Sequence, residues 1–329
     1  MDAGGSMAGG PVSPRAGGMT RPLKVGVQLP EVEWVPRWAD LREMARTAED
    51  IGLDSIWVGD HLLYRDEGQP SRGPWEAWTQ LAAIAAVTER VEIGPLVAAT
   101  SFHNPGMLAK KAATLDEISG GRLILGLGAG WNEAEYRAYG FPFDHRVSRF
   151  EEAFTIIRTL LHDGRCDFHG TYYSLTDAEL LPRGPRPEGP PLMVGSIGER
   201  MLSITLPHVQ SWNAWFTWFG NSPEGYRPIR EQVDAACRAV GRDPSTLERT
   251  VAVLVKFPGA APGGPQGYPN RPTAEAISGE PAVLAAALRA FAAEGISHIQ
   301  LVLDPITADS IAALAPTISL LDAGSGVVQ

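Results

Sequence analysis

The chain has 329 residues, 44% of them hydrophobic and 20% charged, which is enough apolar material for a large buried core and argues against global disorder. Its formal charge of -10 and pI near 5.2 exclude nucleic acid and anionic membranes as main partners, because both reward clustered Lys and Arg. No apolar run approaches the ~20 residues of a membrane span. Cys166 and Cys237 lie far apart without CxxC spacing, so they point to ordinary thiols in a reducing cytoplasm and not to a disulfide framework or a zinc site.

Residues 1–22 are rich in Gly, Ala, Ser and Pro and lack an apolar stretch, so they are expected to form a disordered tail, not a secretory signal. Met7 and Met19 leave room for a later start of translation. The folded domain is expected over 23–323. Strand-like alternation over Leu23–Leu29 is followed by helical spacing from Pro36 to Ile51, with Leu41, Met44, Ala45 and Ala48 on one face. Strand Ser55–Val58, a long loop to Gly73 and helix Trp75–Glu89 form a second unit. Strand Val91–Ala98 and helix Pro105–Ser119 form a third, ended by Gly120-Gly121.

Leu123–Leu127 reads as a fourth strand, followed by a helical region from Asn132 to Leu161 that should be bent or interrupted around Gly140 and Pro142. Residues 165–190 break the rhythm, and Phe168–Tyr173 points to a small hairpin inserted after the fourth unit. The alternation then resumes with strands Pro191–Val194, Val209–Ala214, Thr250–Phe257 and His298–Leu303. Their helices run over Gly198–Leu206, Pro223–Val240, Pro281–Glu294 and Ala308–Leu321. Eight strands each followed by a helix call for parallel pairing with right-handed crossovers, and eight units favour a closed (β/α)8 TIM barrel. An open doubly wound sheet would announce a nucleotide site as GxGxxG after its first strand, and nothing of that kind follows Leu29. The Pro/Gly-rich stretch 258–273 reads equally as a lid or as a disordered loop.

A barrel places its chemistry at the C-terminal strand ends. Strand two ends in Asp60-His61, a pair that can hold a ring system and move a proton near neutral pH. Strand three ends in the apolar run Gly94–Ala99, a flat wall without titratable groups. Strand four enters Gly126-Leu127-Gly128-Ala129-Gly130-Trp131-Asn132, whose alternate glycines let backbone approach a ligand closely. After strand five, Gly195-Ser196-Ile197-Gly198 opens a helix with Arg200 in its first turn, which fits a phosphate cradle. There is no GxSxG, HExxH or GxxxxGK[ST] motif, and the histidines lack ligand spacing, so no catalytic metal is expected.

The connected stretch Asn104-Pro105, Ala109-Lys110, Ala113–Asp116, Ser119–Leu123, Gly126–Tyr136, Gly140–Phe143, Arg146 and Arg149-Phe150 resembles the luciferase-like oxidoreductases, specifically their F420-dependent branch. The resemblance covers roughly 23–215. It implies a cytoplasmic, homodimeric enzyme whose deazaflavin, coenzyme F420, or alternatively FMN, lies at the barrel mouth. Asp60 and His61 match positions beside the ring, and Leu96-Val97 matches the family's non-proline cis peptide. Gly128, Ala129, Gly130 and Asn132 border the ring, and Gly195, Ser196, Ile197 and Gly198 hold its phosphate. Sugar-phosphate dehydrogenases of the family carry a catalytic Glu where this chain has Trp131. That departure, with Trp34, Trp75 and Trp78 on nearby loops, points to an apolar or aromatic small-molecule substrate. The expected reaction is hydride transfer with His61 moving the proton, and Trp131 is placed with His61 in the catalytic set. The alternatives are an FMN-dependent monooxygenase and a flavin-binding protein without turnover. The low Lys content, confined to Lys24, Lys110, Lys111 and Lys256, agrees with the high-GC bacteria in which deazaflavin is common.

Overall fold

A computed structural model of the chain describes residues 21–65, 68, 70–258 and 274–323. The expected tail over 1–22 and the stretch 258–273 therefore lie almost wholly outside the described residues. The strands are β1 Lys24–Gln28, β2 Ser55–Val58, β3 Glu92–Pro95, β4 Ala98–Ala99, β5 Leu125–Gly128, β6 Arg165–His169, β7 Ser174–Glu179, β8 Leu192–Val194, β9 Ser211–Ala214, β10 Glu248–Lys256 and β11 His298–Asp304. The helices are α1 Trp38–Asp50, α2 Ala77–Val87, α3 Pro105–Ser119, α4 Glu133–Tyr139, α5 Arg146–Asp163, α6 Glu199–Thr205, α7 Pro223–Ala239, α8 Pro281–Ala293, α9 Ala308–Ala312 and α10 Ala315–Ala323.

Parallel pairing runs β3-β2-β1-β11-β10-β9-β8-β5-β4, and a bridge between Ile93 and Leu123 joins the two ends of this order. The result is the expected barrel of eight staves, because β3 and β4 are two halves of one stave. They are separated at Leu96-Val97, whose peptide bond is cis. The long helical region of unit four is interrupted around Gly140 and Pro142, giving two helices. Gly140 caps α4 in the left-handed conformation, and His145 enters α5 at positive φ. The last expected helix is likewise divided into α9 and α10.

Local signals account for the elements that frame the mouth. Helix α3 begins where Asn104 accepts a hydrogen bond from Met107 N, has Pro105 in its first turn and ends at left-handed Gly120. Helix α1 buries Leu41, Met44, Ala45 and Ala48 on one stripe, as their spacing predicts. The insertion is a larger hairpin than expected: β6 and β7 pair antiparallel, and 170–173 is its turn. The Glu152 carboxylate accepts from the amides of Thr171, Tyr172 and Tyr173 at 2.7, 2.8 and 3.0 Å. Arg186, in the irregular return after β7, pairs with buried Asp116 of α3.

The main apolar core lies between the staves and the helices. A second, small cluster of Trp57, Ile124 and Met193 fills the barrel with Leu96 and Val97 packed on it. Polar side chains share that interior. Ser55 Oγ lies 2.7 Å from both His298 Nε2 and Trp57 Nε1, and Asn213 bridges to Thr250 and Gln300. Both cysteines are buried and free. Among the described residues no helix is long and apolar enough to cross a membrane.

Candidate active site

At the C-terminal ends of the staves a cavity of about 510 Å³ opens, within the size range of small-ligand sites. Its wall includes Asp60, His61, Leu96, Val97, Gly128, Ala129, Gly130, Trp131, Gly195, Ser196, Ile197 and Gly198. The structure thus brings together every site residue expected from the sequence except Asn132. The Asn132 amide is used elsewhere: its Nδ2 donates to Leu63 O at 2.9 Å and ties α4 to the loop after β2.

His61 is the best-defined functional group of the wall. Its Nδ1 lies 3.0 Å from Glu135 Oε2, and its Nε2 lies 3.9 Å from Glu31 Oε1. Glu135 also accepts from Leu62 N at 2.5 Å and Leu63 N at 3.0 Å, so the first turn of α4 clamps the loop that carries His61. Glu31 is held in turn by the Tyr64 hydroxyl and, at 3.4 Å, by Gln28 Nε2. Burial is the largest single influence on His61 and disfavours its charge. The surrounding carboxylates Glu31, Glu135 and Asp60 together outweigh it and hold the pKa above the ordinary histidine value. Burial would raise Glu135, yet His61 and the two loop amides hold its carboxyl below the usual range. The cluster therefore favours the charged imidazolium over the neutral ring, and His61 presents its other edge to the cavity.

Asp60 has a different task. Its Oδ2 accepts from Ala99 N and from His103 Nε2, both at 3.0 Å, which pins the far side of the broken stave to β2. Val97 enters the cavity from that stave. A Cβ on Gly128 would lie 2.8 Å from Val97 Cγ2, and one on Gly195 would lie 3.2 Å from Val97 Cγ1. Gly130 has a φ of 72°, and a side chain there would collide with the Tyr136 hydroxyl, which donates to Ala129 O at 2.8 Å. These glycines therefore make room for neighbouring protein atoms, and the ligand meets Val97 and bare backbone.

The aromatic wall differs from the expected one. Trp34 and Trp75 spend their indole N–H groups on Ile306 O and Pro36 O outside the cavity, and Trp78 is buried against His103. The cavity is lined instead by Trp131, whose ring lies 5.3 Å from that of His61, and by Tyr64, Phe102, Trp215, Phe216 and Trp218. Arg200 does not line it and pairs with Glu151 at 2.7 Å on the surface. Glu31, Tyr64, Glu135, Asn213 and the Trp215–Trp218 segment are site residues that sequence reasoning missed. Glu135 lay within the stretch quoted for the resemblance. Trp215–Trp218 follows a stave end, where inspection of every such end would have reached it.

A barrel closed around a mouth of this kind, with a proton-carrying imidazole on one wall and bare backbone on the other, is the framework of a small-molecule enzyme. The model of the family described as luciferase-like monooxygenase matches residues 14–257, and the chain belongs to that family. It is 40% identical over 171 residues to the F420-dependent glucose-6-phosphate dehydrogenase of Amycolatopsis mediterranei (strain U-32), a match covering 50% of each chain. It is 30% identical over 250 residues to the protein of the same description from Kineococcus radiotolerans (strain ATCC BAA-149 / DSM 14245 / SRS30216), covering 72% of this chain and 69% of that one. A solved F420-dependent secondary alcohol dehydrogenase in complex with an F420-acetone adduct superposes with a TM-score of 0.74 at 20% identity, covering 91% of this chain and 99% of the other. At that identity the superposition shows a shared fold.

Proposed function

We propose that the chain is an F420-dependent oxidoreductase that transfers a hydride between the deazaflavin and a small, apolar or aromatic organic substrate. The observation that carries this reading is His61, held at the cavity wall between Glu31 and Glu135. The relatives described above, whose names include F420, support the cofactor.

The cavity fits a planar ring. Leu96, Val97, Gly128, Ala129 and Gly130 offer an apolar and backbone wall, and Gly195, Ser196, Ile197 and Gly198 line the exit for the side chain and its phosphate. When bound, a deazaflavin supplies the hydride donor or acceptor. The protein's own part is protonic and steric. His61 Nδ1 is anchored on Glu135, so Nε2 gives a proton to, or takes one from, the substrate heteroatom. Trp131 and Trp218, both partly exposed, add apolar ring surface to the wall. No Lys or Arg lines the cavity among the described residues, so a phosphorylated sugar would find no ammonium or guanidinium there, and His61 is already paired with Glu135, whereas an aromatic body would find several rings.

The family's monooxygenase description favours a second reading, in which FMN occupies the same wall and oxygen is the co-substrate. Fluorescence titration of the purified protein with F420 and, separately, with FMN decides between them. Tighter F420 binding is the expected outcome, tighter FMN binding overturns the deazaflavin reading, and binding of neither overturns the redox assignment.

A further inference from the structure

Asn213 stands on β9 in the floor of the cavity and is buried apart from the small surface it shows to that space. Its amide nitrogen donates to Thr250 Oγ1 at 2.8 Å on β10 and to Gln300 Oε1 at 2.7 Å on β11. A primary amide has two N–H groups, and both are used. The Thr250 hydroxyl is directed onward to Met193 Sδ at 3.6 Å. With the nitrogen committed to the barrel interior, the carbonyl oxygen is the free end of the amide, and no described residue donates to it. Met193 and the Trp57 cluster lie beside this polar network. The oxygen is thus an oriented acceptor on the cavity floor, held by partners on two other strands, and it suits a ligand that brings an N–H to that point.

We propose that Asn213 Oδ1 accepts the pyrimidine N3–H of the cofactor ring, so that the ring enters the barrel with this edge first. The inference rests on the deazaflavin reading above. In the oxidised nucleus of a deazaflavin or a flavin, N3 is the only ring nitrogen that carries a hydrogen. An acceptor on the floor therefore reads one edge of the ring and fixes which carbon faces His61. Thr250 and Gln300 act as positioning residues, because they hold the amide with its oxygen toward the ligand.

The test is a fluorescence titration of the full chain with F420, with 8-hydroxy-5-deazariboflavin and with the N3-methyl derivative of the latter. Methylation removes the only donor, and a loss of roughly tenfold or more in affinity is expected. In Asn213→Leu the parent ring and its methyl derivative should bind alike. In Asn213→Asp the discrimination should persist, since an oxygen still faces the cavity and Gln300 Nε2, which has no partner, can turn to donate to the second oxygen. Equal affinity of the two rings for the unmodified protein overturns this inference and leaves the cofactor reading intact. If F420 and the parent ring both fail to bind, the cofactor reading itself falls and takes the inference with it.

Discussion

His61 Nδ1 sits 3.0 Å from the carboxylate of Glu135, a residue 74 positions later in the chain. The contact joins the loop after β2 to the first turn of α4 and leaves a single nitrogen of the imidazole facing the cavity. Replacing His61 by Ala should slow turnover by about 10²-fold or more, the range of a lost general acid–base group, while the F420 dissociation constant changes little. Stopped-flow reduction or oxidation of bound F420 measures both. Unchanged rates would remove His61 from the mechanism.

Glu31→Gln tests the electrostatic half of the cluster. Glu31 is the largest influence that raises His61, so its loss should move the His61 break in the pH profile of kcat/KM toward lower pH. The direction of the stability effect follows the same pKa. The His61 value is raised on folding from an ordinary 6.5, so its stabilisation is complete below about pH 6.5 and is lost as pH climbs through the raised folded-state value. An unmoved profile in Glu31→Gln would show that the titrating group is another one.

Trp131→Ala should raise KM for an aromatic substrate more than it lowers kcat, because the ring contributes contact area beside His61 and no proton. Steady-state assays with a matched aromatic and aliphatic pair of substrates read the split. An equal loss for both members would assign Trp131 to the framework of the loop.

His298 titrates in the opposite sense. Burial in the barrel interior, with a smaller contribution from Lys24, pushes its pKa down to about 3. The folded state keeps this imidazole neutral while the unfolded chain takes up a proton below its ordinary 6.5. Stability is therefore present above about pH 6.5 and is lost as pH falls toward about 3. Replacing His298 by Gln, which cannot ionise, should flatten the decline in Tm between pH 6.5 and 4 even if it lowers Tm at pH 7. A parallel decline in both proteins would count against this.

The staves and the glycine-rich turns were legible because they are local: strand alternation, helix stops at Gly120 and Gly140, and small residues at strand ends all act over a few positions. What surrounds His61 was not. Glu31 follows a proline in a loop and Glu135 reads as an ordinary acidic residue in a helix's first turn; only closure of the barrel sets them on either side of one imidazole. Asn213 was hidden for the same reason, since its amide is oriented by partners on two other strands. The tryptophans misled in the other direction. Four were read as pocket residues, and Trp34, Trp75 and Trp78 find backbone or core partners outside it.

The β6–β7 hairpin is attached to the barrel without being one of its staves. The amides of its tip converge on one carboxylate, Glu152, Tyr172 packs on Arg149 and His145, and its return is pinned by Arg186 to Asp116. No hairpin residue lines the cavity, so a change confined to the turn 170–173 leaves the eight staves and the His61 cluster without a lost contact at the site. In an evolving lineage this is the segment free to acquire a new partner without a change of chemistry.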